Sequence, residues 1–305
     1  MVNVPRSRRS RLEAGAGPLI GLQVVLGPHI WRIAPAWAVV AGAMIARAPL
    51  LGDGVPLRLL GAVVLADSLW GLFWRLTAAD GVPGRSSLQT REHPPLPYYR
   101  TRSPAGRALG LIRDLIGGGS WHELFIALAS AAALSLLLGG PAPVLTAVAW
   151  GVALWAWLLA QSGRRPAACD ALLNVGLPWW LGWSLMIGPK FSSTLSMLEG
   201  WGAGETMPEP GLILGLAFTL LQWGAQRARL SDGRRMAAIW LGQASVLIAL
   251  IGLHQMPALV LGAVLLLPSW WHLWRAGRAA ADLKEALARC DPWWLAAMLL
   301  SAFLM

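Results

Sequence analysis

The side chains able to do chemistry are few and widely spaced. His29, His93, His122, His254 and His272 form no HxxxH or ExxH pair, so a helical two-histidine or di-iron site has little support. His29, in Pro-His-Ile-Trp-Arg, and His272, in Trp-Trp-His-Leu-Trp-Arg, lie beside Trp near the ends of apolar runs. Such an imidazole can ligate the Mg of a (bacterio)chlorophyll or the Fe of a haem. The plainer reading is an interfacial histidine reaching to water. His93 and His122 read as structural, and His254 sits in a turn. Cys169 and Cys290 make neither a metal pattern nor a disulfide framework. Gly117-Gly118-Gly119 lacks the flanks of a phosphate loop. Asp67 stands inside an apolar run, where an acid is costly unless paired or functional. Its structural reading is a salt bridge to Arg75 or to a basic residue of the 227–235 loop. Its functional reading is a contact to a polar head group. Asp170 and Asn174 carry a similar structural reading, with Arg165 near Asp170. Gln222, Gln226 and Gln243 suit hydrogen bonds between helices.

The elements that must position these residues follow from composition. Of 305 residues, 56% are apolar and 13% charged, and the mean hydropathy is +0.55. A soluble chain needs about a quarter charged residues, so a soluble globular enzyme is excluded, as is a disordered chain. The net charge is +10, and only Lys190 and Lys284 are lysine, the other basic residues being Arg. These are spread between apolar runs rather than gathered on a soluble module, which argues against nucleic acid as a partner. Nineteen Trp stand against two Tyr and five Phe. Many cluster near the ends of apolar runs, as an aromatic belt does.

A span needs about 20 apolar residues. Nine segments qualify or nearly so: 29–49, 55–76, 121–139, 142–161, 169–188, 210–226, 234–254, 256–275 and a short 292–305. Gly139-Gly140-Pro141 and His254-Gln255-Met256-Pro257 read as tight turns. Ser120-Trp121-His122-Glu123 reads as a capping box. Asp291-Pro292 reads as an N-cap before the last span, preceded by a separate surface helix over 276–289. With the N-terminus inside, the expected cytoplasmic pieces hold 21 of the 25 basic residues, which orients the chain N-inside and C-outside. The expectation is one membrane domain over 1–305. Residues 1–28 form a cytoplasmic or interfacial segment without a cleavable signal pattern. Residues 77–120 form a long cytoplasmic loop with a short interfacial helix over 104–116.

Nine spans with long basic loops after the second and sixth resemble the plan of the UbiA prenyltransferase superfamily. Gly233-Arg-Arg-Met-Ala-Ala-Ile-Trp-Leu-Gly242 is similar to its G-x-[RK]-[ST]-x-x-x-x-x-G stretch. Pro95-Leu96-Pro97 resembles the core of its R-P-L-P segment, with Pro94 where the Arg would stand. Arg164-Arg165 resembles its K-R pair, and Trp293-Trp294-Leu-Ala-Ala-Met-Leu-Leu its last helix. The resemblance implies an all-α bundle of nine membrane helices. It also implies transfer of a polyprenyl group from its diphosphate, with two Asp-rich motifs holding Mg²⁺, because Mg²⁺ takes hard oxygen ligands. At the first motif, Ala66-Asp67-Ser68-Leu69-Trp70-Gly71-Leu72-Phe73-Trp74-Arg75 keeps Asp67 and has Trp70 and Trp74 at the next acidic positions. The second lacks a spaced Asp pair and has Arg227 and Arg229 there. Trp70 and Trp74, one helical turn apart, either line the cavity the family uses or belong to the aromatic belt.

The leading expectation is therefore a non-catalytic UbiA-like protein of the cytoplasmic (inner) membrane, multi-pass. It would be a structural or prenyl-lipid- or pigment-binding subunit of a photosynthetic or respiratory complex, with membrane lipids and other membrane subunits as partners. Asp67 is then a catalytic relic, and no metal is held. The alternative is a divergent polyprenyl diphosphate transferase acting on an aromatic or other lipid-soluble acceptor. There Arg75, Arg164, Arg165, Arg227 and Arg229 offer guanidinium forks to a diphosphate or lipid head group, and Mg²⁺ would be required. A third reading is a pigment protein ligating through His29 or His272. The bound molecule in these readings is a prenyl lipid, a quinone, or a (bacterio)chlorophyll or carotenoid.

Overall fold

The computed structural model describes residues 34–47, 52, 54–77, 121–161, 167–187, 210–230, 236–279 and 283–305. Among the described residues all regular structure is helical. The helices are α1 (Pro35–Ile45), α2 (55–77), α3 (Trp121–Leu138), α4 (Ala142–Gln161), α5 (167–187), α6 (Pro210–Leu230), α7 (Met236–Gly252), α8 (Met256–Ala279) and α9 (Leu283–Leu304). Each expected span falls on one of them. By length and composition, three are long and apolar enough to cross a membrane: Val55–Trp74, Ala142–Leu159 and Met256–Gly277. Shorter apolar helices run over Pro35–Ile45, Leu124–Leu138 and Met236–Gly252.

The two expected turns form as read. Gly139 and Gly140 adopt positive φ, 67° and 54°, between α3 and α4, a conformation that costs glycine little. His254 takes φ 56° between α7 and α8. The capping-box serine, Ser120, lies outside the described residues, as do the interfacial helix over 104–116 and the N-terminal segment.

The last span differs from expectation. A helix starting at Pro292 would be about 21 Å long, but Leu283–Leu304 is one helix with Pro292 in its interior, about 33 Å long. The surface helix expected over 276–289 is thus divided: α8 runs on to Ala279, and α9 takes residues from Leu283 onward. A proline removes one helical hydrogen bond and crowds the carbonyl four residues back, a loss that neighbouring helices can make good. Asp291, read as an N-cap, turns instead toward α6. Pro268 is likewise interior to α8.

Two helices carry a wider turn. In α2, residues Val64–Trp70 are π-helical; in α5, Leu172–Gly176 are. Pro178 accounts for the second. It offers no N–H, and at the end of the wide turn Leu177 N–H reaches back five residues to Leu172 O. Asn174 Nδ2 donates to Asp170 O at 2.8 Å and Asp170 Oδ1 at 2.9 Å, so a side chain serves backbone that the widened turn disturbs.

Helix packing turns on small residues, as it does where lipid leaves no hydrophobic drive between helices. A Cβ on Gly42 of α1 would collide with Trp179 O of α5, and one on Gly182 of α5 with Val39 O of α1. The two glycines let these backbones touch. Gly211 and Gly215 of α6 receive the indoles of Trp183 and Trp179. Trp179 is fully buried there, stacks on Phe218 at 5.8 Å and donates Nε1–H to Gly211 O at 2.8 Å. Gly242 of α7 lets Leu221 of α6 approach: a Cβ would lie 2.5 Å from Leu221 Cα. Gly233 lies outside the described residues.

Two buried clusters result. One joins α1 and α5 to α6, α7, α8 and α9. The other joins α1, α2, α3, α4 and α5. Trp180 packs against both. After α1, Arg47 donates to the main-chain oxygen of Met305, Nε at 2.6 Å, which places the ends of α1 and α9 on the same side of the molecule. Outward faces carry large apolar side chains, including Phe125, Leu137, Trp155, Val260, Val264 and Trp271.

Candidate functional site

The π-helical turn of α2 holds the acid singled out by the sequence. Asp67 is buried at 9% exposure, between Ala66 at 0% and Ser68 at 8%. Trp70 ends the turn and is 2% exposed, inside the cluster of α1 to α5. Trp74 packs against the same cluster. Between the cavity and belt readings of Trp70, burial favours an interior place. The two π-helical turns both pack on α1 and α4. Asp67 and Asn174, two of the polar side chains that the sequence places within its spans, each belong to one of these turns.

The arginines expected to act together take different partners. Arg229 Nη2 is 2.6 Å from Asp291 Oδ1, an ion pair from α6 to α9 with side-chain exposures of 16% and 12%. Arg227, two residues earlier and so on another face, lies over the Trp223 ring at 5.1 Å, a cation–π contact within α6. Arg75 belongs to the last turn of α2, but its side chain, and all of Arg164 and Arg165, lie outside the described residues. His272 is half-buried on α8; His29 is outside the described residues.

A second polar group joins the C-terminal helices. Gln243 of α7 donates Nε2–H to Ser269 Oγ of α8 at 2.9 Å, as expected of a glutamine between helices. The Ser269 hydroxyl donates onward to Leu266 O at 2.7 Å. Cys290 of α9 points its thiol at Ser269 O at 3.6 Å. At 1.5 Å per residue, Asp67 and Ser269 lie about 15 Å from the C-terminal ends of their helices. Gln243 and Asp291 lie about 10 and 12 Å from the N-terminal ends of theirs. Gln243, Ser269 and Cys290 tie α7, α8 and α9 together.

Among the described residues, no three His, Cys, Asp or Glu side chains come together as a metal-binding group. On the described part of α2, Asp67 is the one carboxylate. Asp80 and Asp232 lie outside the described residues.

The sequence reading missed the Arg229–Asp291 pair, the widened turns and the contact of Trp150 with Phe73. Pro178, four residues after Asn174, was a usable signal for the widened turn in α5. Nothing local signals the ion pair, whose members are 62 positions apart. Comparison with known protein families, curated proteins and solved structures gives no match to this chain.

Proposed function

We propose that this chain is a multi-pass protein of the cytoplasmic membrane, built on a UbiA-like plan but without its catalysis. In this reading it serves as a structural or lipid-binding subunit of an energy-converting membrane complex. The observation that carries the reading is the fate of the two motif positions. Where the family's metal chemistry calls for carboxylates, the described residues offer a buried Trp70 and an Arg229 engaged with Asp291. Buried in place of an acid, an indole adds apolar volume and a single N–H donor, and it cannot ligate Mg²⁺.

Membrane placement draws support from three helices of spanning length and composition and from the large apolar side chains on outward faces. The basic residues of the connecting segments support an N-inside orientation. Partner subunits suit the exposed, stacked Trp271 and Trp274, with ring centroids 5.4 Å apart.

One observation favours the second reading, a divergent polyprenyl transferase. Asp67 sits in a π-helical turn, a feature frequent at functional sites. The decisive experiment supplies the purified full chain with Mg²⁺, a labelled polyprenyl diphosphate and an aromatic acceptor. The proposal expects no transfer, and expects the chain to migrate in mild detergent as part of a larger assembly. Transfer abolished by Asp67→Asn, or migration as a lone monomer, overturns it.

A further inference from the structure

We propose that the outward stripe of α8 seats an anionic phospholipid of the cytoplasmic leaflet, with the Arg275 guanidinium on its phosphate and the stacked Trp271 and Trp274 at the level of its glycerol. This rests on the membrane placement and lipid binding of the reading above, and it specifies the lipid and its place. Val260, Val264, Leu267 and Trp271 recur at intervals of four, three and four, so they share one face of the helix. All four are more than half exposed. Trp274 is 45% exposed, and its ring stacks on that of Trp271 with centroids 5.4 Å apart. Arg275, one turn after Trp271, is exposed on the same side.

The end of this stripe carries a charge that the described protein does not balance. Helix α8 contains no Asp or Glu. The described acids of α9 are engaged, Glu285 with Arg289 and Asp291 with Arg229, and among the described residues no acid pairs with Arg275. Phosphate oxygens accept from a guanidinium fork, and an anionic leaflet attracts basic side chains at its surface. The depths agree. Val264 to Arg275 is about 17 Å along the helix, close to one leaflet's half of a hydrocarbon core about 30 Å thick. Val264 and Leu267 then lie beside acyl chain, the two indoles at the interface where Trp collects, and Arg275 at the phosphate.

Side-chain size favours lipid over a directly packed helix. Where helices of this chain touch closely, small residues allow it, as Gly42 and Gly182 do between α1 and α5. On α8 the small residues turn inward: Ala258, Gly262 and Ser269 are buried. From Met256 to Arg275, every exposed residue is Met, Pro, Val, Leu, Trp or Arg. Such a face offers no strip of small residues for a close helix crossing, whereas fluid acyl chains fill the gaps between large side chains. A neighbouring subunit then meets Trp271 and Trp274 through the lipid.

The test places the full chain in phosphatidylcholine vesicles doped with phosphatidylglycerol that carries a photoreactive acyl chain, or with phosphatidylcholine so labelled at the same level. Flotation with the vesicles is scored first. A chain that stays out of the bilayer overturns the membrane reading and this proposal with it. After illumination, peptides of α8 are expected to carry about 5-fold more phosphatidylglycerol than phosphatidylcholine, the worth of one basic residue at an anionic surface. Arg275→Gln, a change at an exposed side chain, is expected to abolish that excess and leave the phosphatidylcholine labelling intact. Arg58→Gln, at an exposed arginine of α2, is expected to keep the excess. An inserted chain overturns this proposal alone if α8 labels equally with both lipids, if the excess survives Arg275→Gln, or if α8 stays unlabelled because a protein partner covers it.

Discussion

Arg229 Nη2 and Asp291 Oδ1 meet at 2.6 Å across the α6–α9 boundary, both side chains largely shielded. That pair ties the helix bearing Arg227 and Arg229 to the helix bearing Trp293 and Trp294. It also removes Arg229 from the group expected to face a phosphate. A shielded pair is worth most as a pair, because either member alone is a stranded charge.

Asp291→Ala is therefore expected to destabilise the protein by roughly 3 kcal/mol. The joint replacement Arg229→Met with Asp291→Leu, which removes both charges and keeps volume, is expected to cost much less. Thermal loss of helical circular dichroism in detergent measures both. A double replacement as damaging as the single one would contradict the pairing.

The α1–α5 crossing depends on two glycines. Gly42→Ala or Gly182→Ala drives a Cβ into backbone of the facing helix, and no rotamer change relieves a backbone clash. Either is expected to lower the thermal midpoint and broaden the size-exclusion peak. Gly71→Ala meets nothing within 4 Å and is expected to be neutral or slightly stabilising, since alanine is the better helix former.

Trp70 and Trp271 separate interior from outward Trp. Trp70→Ala empties a buried indole site and is expected to cost about 3–5 kcal/mol. Trp271 is 57% exposed, and Trp271→Ala is expected to leave stability in detergent nearly unchanged. Similar losses from both would place Trp70 on the outside of the bundle.

Gln243 and Ser269 link α7 to α8. A double-mutant cycle of Gln243→Leu and Ser269→Ala is expected to return a coupling near 0.6 kcal/mol, the usual worth of such bonds between membrane helices. Additive losses would show that the two side chains act independently.

Orientation is open to direct labelling. In a chain with Cys169 and Cys290, both buried, changed to Ala, a cysteine at His254 is expected to react with an impermeant thiol reagent from the outer side. One at Ser7 should react only after the membrane is opened. The reverse pattern would invert the topology.

Helical class, turn positions and the places of the apolar runs were legible in the sequence, because each depends on neighbours a few residues apart. Gly139 and Gly140 announce a turn by themselves, and 142–161 is apolar enough to be a helix wherever it packs. The proposed orientation rests on the composition of the basic segments alone. The start of the last helix was not legible. Asp291-Pro292 has a local N-cap pattern, yet α9 begins eight residues earlier, at Leu283, where Asp291 can meet an arginine on another helix. Tertiary structure alone decided that pairing and the burial of Trp70 in the cluster of α1 to α5. The physical reason is range. Hydrophobic and turn preferences act along the chain, whereas ion pairs and close helix crossings depend on which distant faces the packing brings together.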